Sequence, residues 1–178
     1  MNIIGLFQAT TGTLMWQYDE PIYFWGHSNN YGFLSNWYPC SFKCGPVHLN
    51  CVEQYMMWRK AKVFNDLKTA DAILCKKEPR EHKFLGRQVA NFNQDKWDSV
   101  KINIVLFGLC LKFSQNEVLY QKLMSTGKSY LVEASPCDNI WAGIGDTECM
   151  KLYNINCMPG QNLLGKCLCY LRDEIFGN

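Results

Sequence analysis

Glu53 is a residue whose type and surroundings could support acid–base chemistry in this 178-residue chain. It lies in the stretch 50–64, which lacks Gly and Pro and repeats apolar residues at helical spacing, so the pattern predicts a core helix with Asn50 as its N-cap. On that helix Glu53 shares a face with Lys60, two turns further on. Acidic side chains are seldom buried unless they are paired or functional, although a first-turn glutamate also favours the positive end of the helix. Both interpretations stay open at this point.

Other polar and aromatic residues border apolar segments further along the chain. They are Asn36 in a loop rich in Asn and aromatic residues, Trp97 near the start of a long helix, and Asp138 with Trp141 after a strand. Cleavage of an N-glycosidic bond uses such a set, since a carboxylate can orient water or stabilise the positive charge on the sugar while flat rings stack the base. Each residue also has a structural interpretation: Trp97 and Trp141 as core residues, Asp138 as a turn-former. Single residues therefore do not decide the function.

Bulk composition excludes several classes of protein. With 48 % hydrophobic and 14 % aromatic residues, the chain can build one compact domain with a substantial core. Its net charge of +2 argues against general binding to nucleic acid or membrane, although 59–101 holds eleven Lys and Arg against six acids and could attract a phosphorylated ligand. No Walker loop, Rossmann fingerprint, G-x-S-x-G elbow or zinc-protease motif is present.

The ten cysteines are not spaced as metal ligands or as a disulfide framework. No signal peptide, glycosylation sequon or apolar run of membrane-spanning length accompanies them. We therefore expect a cytoplasmic protein with reduced thiols, without metal or organic cofactor and without a membrane partner.

The elements that must position these residues are mostly helices. Helices are predicted at 50–64, 66–74, 79–86, from Asp95 onward, after a capping box at 114–117, and at 161–176. Strands are predicted at 22–25, 41–43, 47–49 and 130–135, with a strand or hairpin within 1–21 and an irregular segment at 146–160. The sequence therefore predicts an α+β fold, a single mainly helical domain over 1–178 in which 1–21 form an N-terminal extension.

The order and spacing of these residues resemble the NADAR (YbiA-like) family from about Tyr23 to the C-terminus. The blocks that carry the resemblance are Phe-Leu-Ser-Asn-Trp-Tyr-Pro (33–39), Val-Glu-Gln-Tyr-Met-Met (52–57), Lys-Ala-Lys-Val-Phe (60–64), Trp97, Lys-Phe-Ser-Gln-Asn (112–116), Thr126-Gly127, Leu-Val-Glu-Ala-Ser-Pro (131–136), Asp138 with Trp141, and Gly-Gln-Asn-Leu-Leu-Gly-Lys (160–166). Nine blocks in the same order are far more specific than a single motif.

The resemblance implies a mainly helical α+β domain with N-glycosidase activity on a ribosylamine intermediate of riboflavin synthesis or on ADP-ribosylated guanine. It places the catalytic residues at Glu53, Asp138 and Lys60. Glu53 and Asp138 would orient water and stabilise the positive charge on the sugar. Lys60 would bind a phosphate or form an imine with the opened ribose. The predicted substrate-binding residues are Asn36, Lys43, Trp97, Trp141, Phe24 and Gly143.

The chain departs from the family pattern in three places. Gln54 replaces a His common after the helix glutamate, Ala142 is inserted after Trp141, and most of 146–160 is particular to this chain. The substrate expected is a small-molecule nucleotide or ADP-ribosylated nucleic acid, handled by a monomer or weak oligomer. The alternatives are a non-catalytic module that binds ADP-ribose or NAD, and a structural protein whose aromatic loop docks a partner.

Overall fold

The computed structural model describes residues 19–146, 148, 151 and 158–177. The described chain forms two compact units. The helical unit runs from 36 to 120, and the sheet unit comprises the described residues up to 35 together with those from 121 onward. The strand or hairpin predicted within 1–21 and most of the irregular segment 146–160 lie outside the described residues. That 1–178 act as one domain stays a prediction.

Helices make up about half of the described chain, and the strands form small sheets. The helices are α1 (Val52–Val63), α2 (Leu67–Leu74), α3 (Pro79–Gly86), α4 (Gln94–Ser114), α5 (Glu117–Met124) and α6 (Leu163–Tyr170), with a 3₁₀ turn at Gly32–Leu34 and a π-helical segment at Leu171–Ile175. The strands are β1 (Asp19–Phe24), β2 (Phe42–Cys44), β3 (Val47–Leu49), β4 (Ser129–Ser135) and β5 (Gly143–Ile144). This confirms the predicted α+β class.

The helical unit is organised around α1, which contacts α2, α3, α4 and the β2–β3 hairpin through β3. Every residue in the first half of α1, from 52 to 57, is buried. Neighbouring elements therefore surround this half of the helix, and Glu53 is buried together with the apolar residues around it. At Gly108 of α4 the packing is close: a Cβ there would lie 2.5 Å from Cδ1 of Tyr55. Only glycine lets α4 approach α1 this closely.

Lys112 of α4 is fully buried in the same unit. Its ammonium nitrogen lies 5.4 Å from the centroid of the Tyr38 ring and 5.1 Å from that of Phe113. Burial lowers the pKa of Lys112 to about 8, while Cys40 and Cys51 act in the opposite direction. A buried ammonium costs stability, and this cost depends on pH.

Three local predictions are corrected by the structure. The N-cap of α1 is Cys51 rather than Asn50, because the Cys51 sulfur accepts a hydrogen bond from the Gln54 backbone N–H at 3.4 Å. Ser114 does not begin a new helix: it is the last residue of α4, and α5 begins at Glu117. Trp25 is 52 % exposed and follows β1 rather than lying within a buried strand.

The sheet unit is built on the parallel strands β1, β4 and β5, in the order β1-β4-β5. Beside β4 the buried side chain of Asn162 continues the hydrogen bonding in place of a strand. Its Oδ1 accepts from the Glu133 backbone N–H at 3.0 Å, and its Nδ2 donates to the Leu131 carbonyl at 2.9 Å. Asn162 lies just before α6 with φ +48°, in the left-handed region that Asn tolerates better than most residues. This side chain fastens the start of α6 to the sheet.

Among the described residues, no single helix is long and apolar enough to cross a bilayer. The helices α4 and α5 pass this test of length and composition only when they are taken together across a sharp bend.

Candidate active site

Glu53 lies in the first turn of α1 with only 3 % of its surface exposed. Its backbone N–H donates a hydrogen bond of 2.9 Å to the carbonyl of Asn36, so the loop that carries Asn36 is held against the start of the helix. Burial of an acidic side chain is costly, and the positive end of the helix compensates only part of that cost. The carboxylate of Glu53 therefore lies where solvent reaches it poorly, on a residue whose backbone is bonded to that of Asn36.

Asn36 is a second buried polar residue in this part of the unit, and it is 5 % exposed. Its Oδ1 is buried and accepts no hydrogen bond from any described residue. A buried acceptor left unsatisfied typically costs about 1–3 kcal/mol. Such a cost is tolerated where a ligand supplies the missing donor, which makes the amide of Asn36 a candidate contact for a hydroxyl group or a water molecule.

Lys60 lies two turns along α1 from Glu53 and is half-buried. Its Nζ donates a hydrogen bond of 2.8 Å to the Gly86 carbonyl, and it lies 4.2 Å from the centroid of the Phe92 ring and 5.7 Å from that of Trp97. We call this group, Lys60 with Gly86, Phe92 and Trp97, the Lys60 cluster. The carbonyl and the two ring faces each favour an ammonium held in this position.

The electrostatic surroundings lower the pKa of Lys60 below the usual value of lysine. Burial is the main cause and the positive charge of Arg87 adds to it, whereas the Glu53 carboxylate raises the pKa. The coupling to Glu53 agrees with the prediction that both side chains share one face of α1. A lowered pKa increases the fraction of neutral amine near neutral pH, the form that attacks a carbonyl carbon.

The two rings of the Lys60 cluster differ in exposure. Trp97, predicted to stack the base, is 7 % exposed in the first turns of α4, whereas Phe92 is 41 % exposed in the loop before α4. Sequence reasoning missed Phe92 and the Gly86 carbonyl. A single aromatic residue between Asn91 and Asn93, directly before a helix, was the available signal for Phe92.

Lys43 lies apart from the Lys60 cluster. Its backbone N–H and C=O are paired with the side chain of Gln115, beyond the C-terminal end of α4. Trp97 lies near the other end of that helix, eighteen residues away, a rise of about 27 Å along the axis. The structure therefore does not place Lys43 beside Lys60.

The remaining predicted site residues belong to the sheet unit. Oδ1 of Asp138 accepts hydrogen bonds from the backbone N–H groups of Ile140 (3.0 Å) and Trp141 (2.9 Å), which is the turn-forming role considered from the sequence. Gly143 is buried and pairs with Ala134 of β4. Phe24, at the end of β1, is 0 % exposed and is a core residue.

The described part of the chain contains no group of three His, Cys, Asp or Glu side chains placed to hold a metal ion. Burial raises the pKa of Cys51, the thiol next to Glu53 in the chain, to about 12. This thiol is therefore protonated near neutral pH and is a poor nucleophile.

The comparisons with known proteins agree with this α+β fold. The NADAR domain matches residues 23–176, and the chain therefore belongs to the NADAR family, as predicted. The protein named N-glycosidase R617 from Acanthamoeba polyphaga mimivirus is 42 % identical over 170 residues, which cover 88 % of this chain and 96 % of that protein.

Two further similarities come from bacterial proteins. The riboflavin biosynthesis protein VVA0006 of Vibrio vulnificus is 29 % identical over 157 residues, which cover 88 % of this chain and 39 % of that longer protein. The NMR structure of the E. coli protein YbiA superposes with a TM-score of 0.73 at 26 % identity, covering 93 % of this chain and 92 % of that one. The second similarity confirms the predicted YbiA-like fold.

Proposed function

We propose that this protein is an N-glycosidase, a hydrolase of N-glycosyl compounds, whose substrate is a ribosylamino-pyrimidine phosphate or an ADP-ribosylated guanine. The observation that carries the proposal is the buried Glu53 on the same helix face as the partly desolvated Lys60. Membership of the NADAR family and the names of its relatives support the general activity. The relative that takes part in riboflavin biosynthesis favours the ribosylamine as the first substrate to assay.

In the proposed reaction the bond between the sugar C1′ and a base nitrogen breaks, and water supplies the new C1′ hydroxyl group. Glu53 orients this water or stabilises the positive charge that develops on the sugar. A proton must reach the departing nitrogen, and the buried Glu53 carboxyl group is one source for it. The Asn36 amide accepts a hydrogen bond from the sugar or from the water.

Lys60 has two alternative roles in this proposal. Its ammonium group can bind a substrate phosphate, for which the basic segment 59–101 provides a favourable field. Its neutral amine can instead attack C1′ of the ring-opened ribosylamine, where it displaces the base as a free amine and forms an imine that water then hydrolyses to the free sugar. The two roles require opposite protonation states and are therefore separable by pH.

Asp138 and Trp141 are proposed to take part as the family resemblance implies, with Asp138 assisting water and charge and Trp141 contacting the base. Phe24, Gly143 and Lys43 are proposed substrate-binding residues on the same ground. Replacement of Asp138 by Asn keeps an acceptor for the backbone N–H groups of Ile140 and Trp141. A loss of turnover in that variant without loss of folding supports the proposed role of Asp138.

The decisive experiment incubates wild type and Glu53→Gln with ADP-ribosylated guanosine and, separately, with the ribosylamino-pyrimidine phosphate. Release of the base is followed by liquid chromatography. We expect wild type to release base from one of the two substrates and Glu53→Gln to be at least 100-fold slower. Glu78→Gln, a change at an exposed glutamate outside the site, is the matched control and keeps wild-type turnover. Equal rates for wild type and Glu53→Gln contradict the proposal, and tight binding without base release indicates a binding module.

A further inference from the structure

The loop between α3 and α4 is fastened on both sides of Phe92. The backbone N–H of Ala90 donates a hydrogen bond of 2.9 Å to Oδ2 of Asp66, and Oδ1 of Asn93 accepts one of 2.8 Å from the backbone N–H of Lys96 as the N-cap of α4. Asn91 between them adopts a left-handed conformation with φ +55°. Anchors on both sides define the position of residue 92 and limit how far it can fray from the unit.

The Phe92 ring is held in place by its neighbours and is nevertheless exposed to solvent. Its centroid lies 4.2 Å from Nζ of Lys60 and 5.2 Å from the centroid of the Phe64 ring, which is tilted by 59°. Even so, 41 % of Phe92 is exposed, whereas Trp97 on the other side of Lys60 is 7 % exposed. Of the two rings in the Lys60 cluster, Phe92 is therefore the one that presents apolar surface to an incoming ligand.

We propose that Phe92 contacts the planar base of the substrate and helps to determine which base is accepted; this inference rests on the proposed function. A substrate whose sugar or phosphate lies against Lys60 brings its base within reach of the neighbouring exposed ring. Base–aromatic stacking contributes roughly 1–3 kcal/mol per base, equivalent to about 5- to 150-fold in affinity. A purine covers more of the ring than a pyrimidine and gains more from it.

The test compares Phe92→Leu with Phe84→Leu in steady-state kinetics on the substrate that wild type turns over. Phe84 is a matched control because it is also an exposed phenylalanine of the helical unit, on α3, with 62 % exposure. We expect Phe92→Leu to raise KM at least fivefold with a smaller change in kcat, and Phe84→Leu to leave both unchanged. Phe92→Trp, which restores a flat ring, should return KM to within about twofold of wild type.

A second measurement does not depend on variants. In the complex of Glu53→Gln with intact substrate, the Phe92 ring protons should show nuclear Overhauser contacts to the protons of the base. The inference is overturned if wild type turns over substrate while Phe92→Leu matches Phe84→Leu and no such contacts appear. If wild type neither binds nor turns over either substrate, the proposed function fails, and this inference fails with it.

Discussion

The ammonium nitrogen of Lys60 donates a 2.8 Å hydrogen bond to the backbone carbonyl of Gly86, the last residue of α3. The acceptor is a backbone atom of a packed helix. The position of the Lys60 ammonium group is therefore fixed by the backbone and does not depend on the rotamer of another side chain. A lysine held in this way can act as a charge or, once deprotonated, as a nucleophile. Its two proposed roles lead to opposite experimental outcomes.

Replacement of Lys60 by Arg distinguishes these roles. If the neutral amine forms an imine, Lys60→Arg is inactive, and wild-type turnover rises with pH through a pKa below the usual value of lysine. Borohydride added during turnover should then leave a sugar adduct on wild type by mass spectrometry. If the ammonium binds phosphate, Lys60→Arg retains turnover, and wild-type activity falls over the same pH interval. Lys62→Arg, on an exposed residue of α1, is the control.

The pKa of Lys60 should move in opposite directions in two charge variants. Removal of the positive charge in Arg87→Gln raises the pKa of Lys60, and removal of the negative charge in Glu53→Gln lowers it, because these residues act on Lys60 with opposite sign. The pKa is measured from the ε-carbon chemical shift of the lysine against pH, with the signal assigned by its loss in Lys60→Arg. Shifts in the same direction, or no shift in either variant, would contradict the opposite effects of these two charges on Lys60.

Asn36→Leu should separate stability from activity. The variant removes a buried acceptor that has no hydrogen bond from the described residues, so the free energy of unfolding should stay unchanged or rise by about 1–2 kcal/mol. Turnover should fall by roughly tenfold or more if the amide binds the substrate or water. Urea unfolding and kcat/KM are measured together. A large loss of stability at full activity would assign Asn36 a purely structural role.

Lys112 predicts a pH-dependent difference in stability between wild type and Lys112→Met. The folded-state pKa of about 8 lies below the usual value near 10.5, so the unfolded chain binds more protons between these pH values. The stability penalty of Lys112 is therefore complete below pH 8 and declines as pH rises toward 10.5. The advantage of Lys112→Met over wild type should shrink across this interval by up to roughly 3 kcal/mol. Urea unfolding of both proteins at pH 7 and pH 10 checks this, and a constant difference contradicts it.

Asn162→Ala should destabilise the sheet unit, because it deletes two hydrogen bonds to β4 and leaves the backbone groups of Leu131 and Glu133 without them. We expect a loss of about 2–4 kcal/mol in the free energy of unfolding. Asn103→Ala, at an exposed position of α4, should change it by less than about 1 kcal/mol. Equal effects of the two variants would mean that the side chain of Asn162 is dispensable.

Periodicity and turn chemistry predicted the elements well where local signals dominate. Helices were predicted at 66–74 and 79–86, and there Asp66 caps α2 and Pro79 begins α3. Both residues act through neighbouring backbone atoms, which a local sequence pattern can reveal. A helix does follow the capping box at 114–117, but the box does not mark its first residues, because α4 continues through Ser114 and α5 begins only at Glu117. A local motif does not show to which of two successive helices a residue will belong.

The candidate site was predictable only in part. Helical geometry placed Glu53 and Lys60 on one face without any structure, since their spacing of seven residues spans two turns. The Gly86 carbonyl could not be predicted, because backbone atoms carry no sequence signature. The position of Phe92 between two asparagines was a weak signal, because the loop before α4 reaches Lys60 only through long-range packing of α3 and α4 on α1. Family resemblance supplied residue types but not this arrangement.

The side chain of Asn162 has a consequence for association with other chains. An unpaired strand edge exposes backbone N–H and C=O groups, to which a strand from another molecule can bind, and this is a route to aggregation. At Leu131 and Glu133 these groups are already engaged by an amide within the same chain. These two backbone groups of β4 are therefore not available for pairing with a strand of another molecule. One asparagine side chain here takes the place of a neighbouring strand.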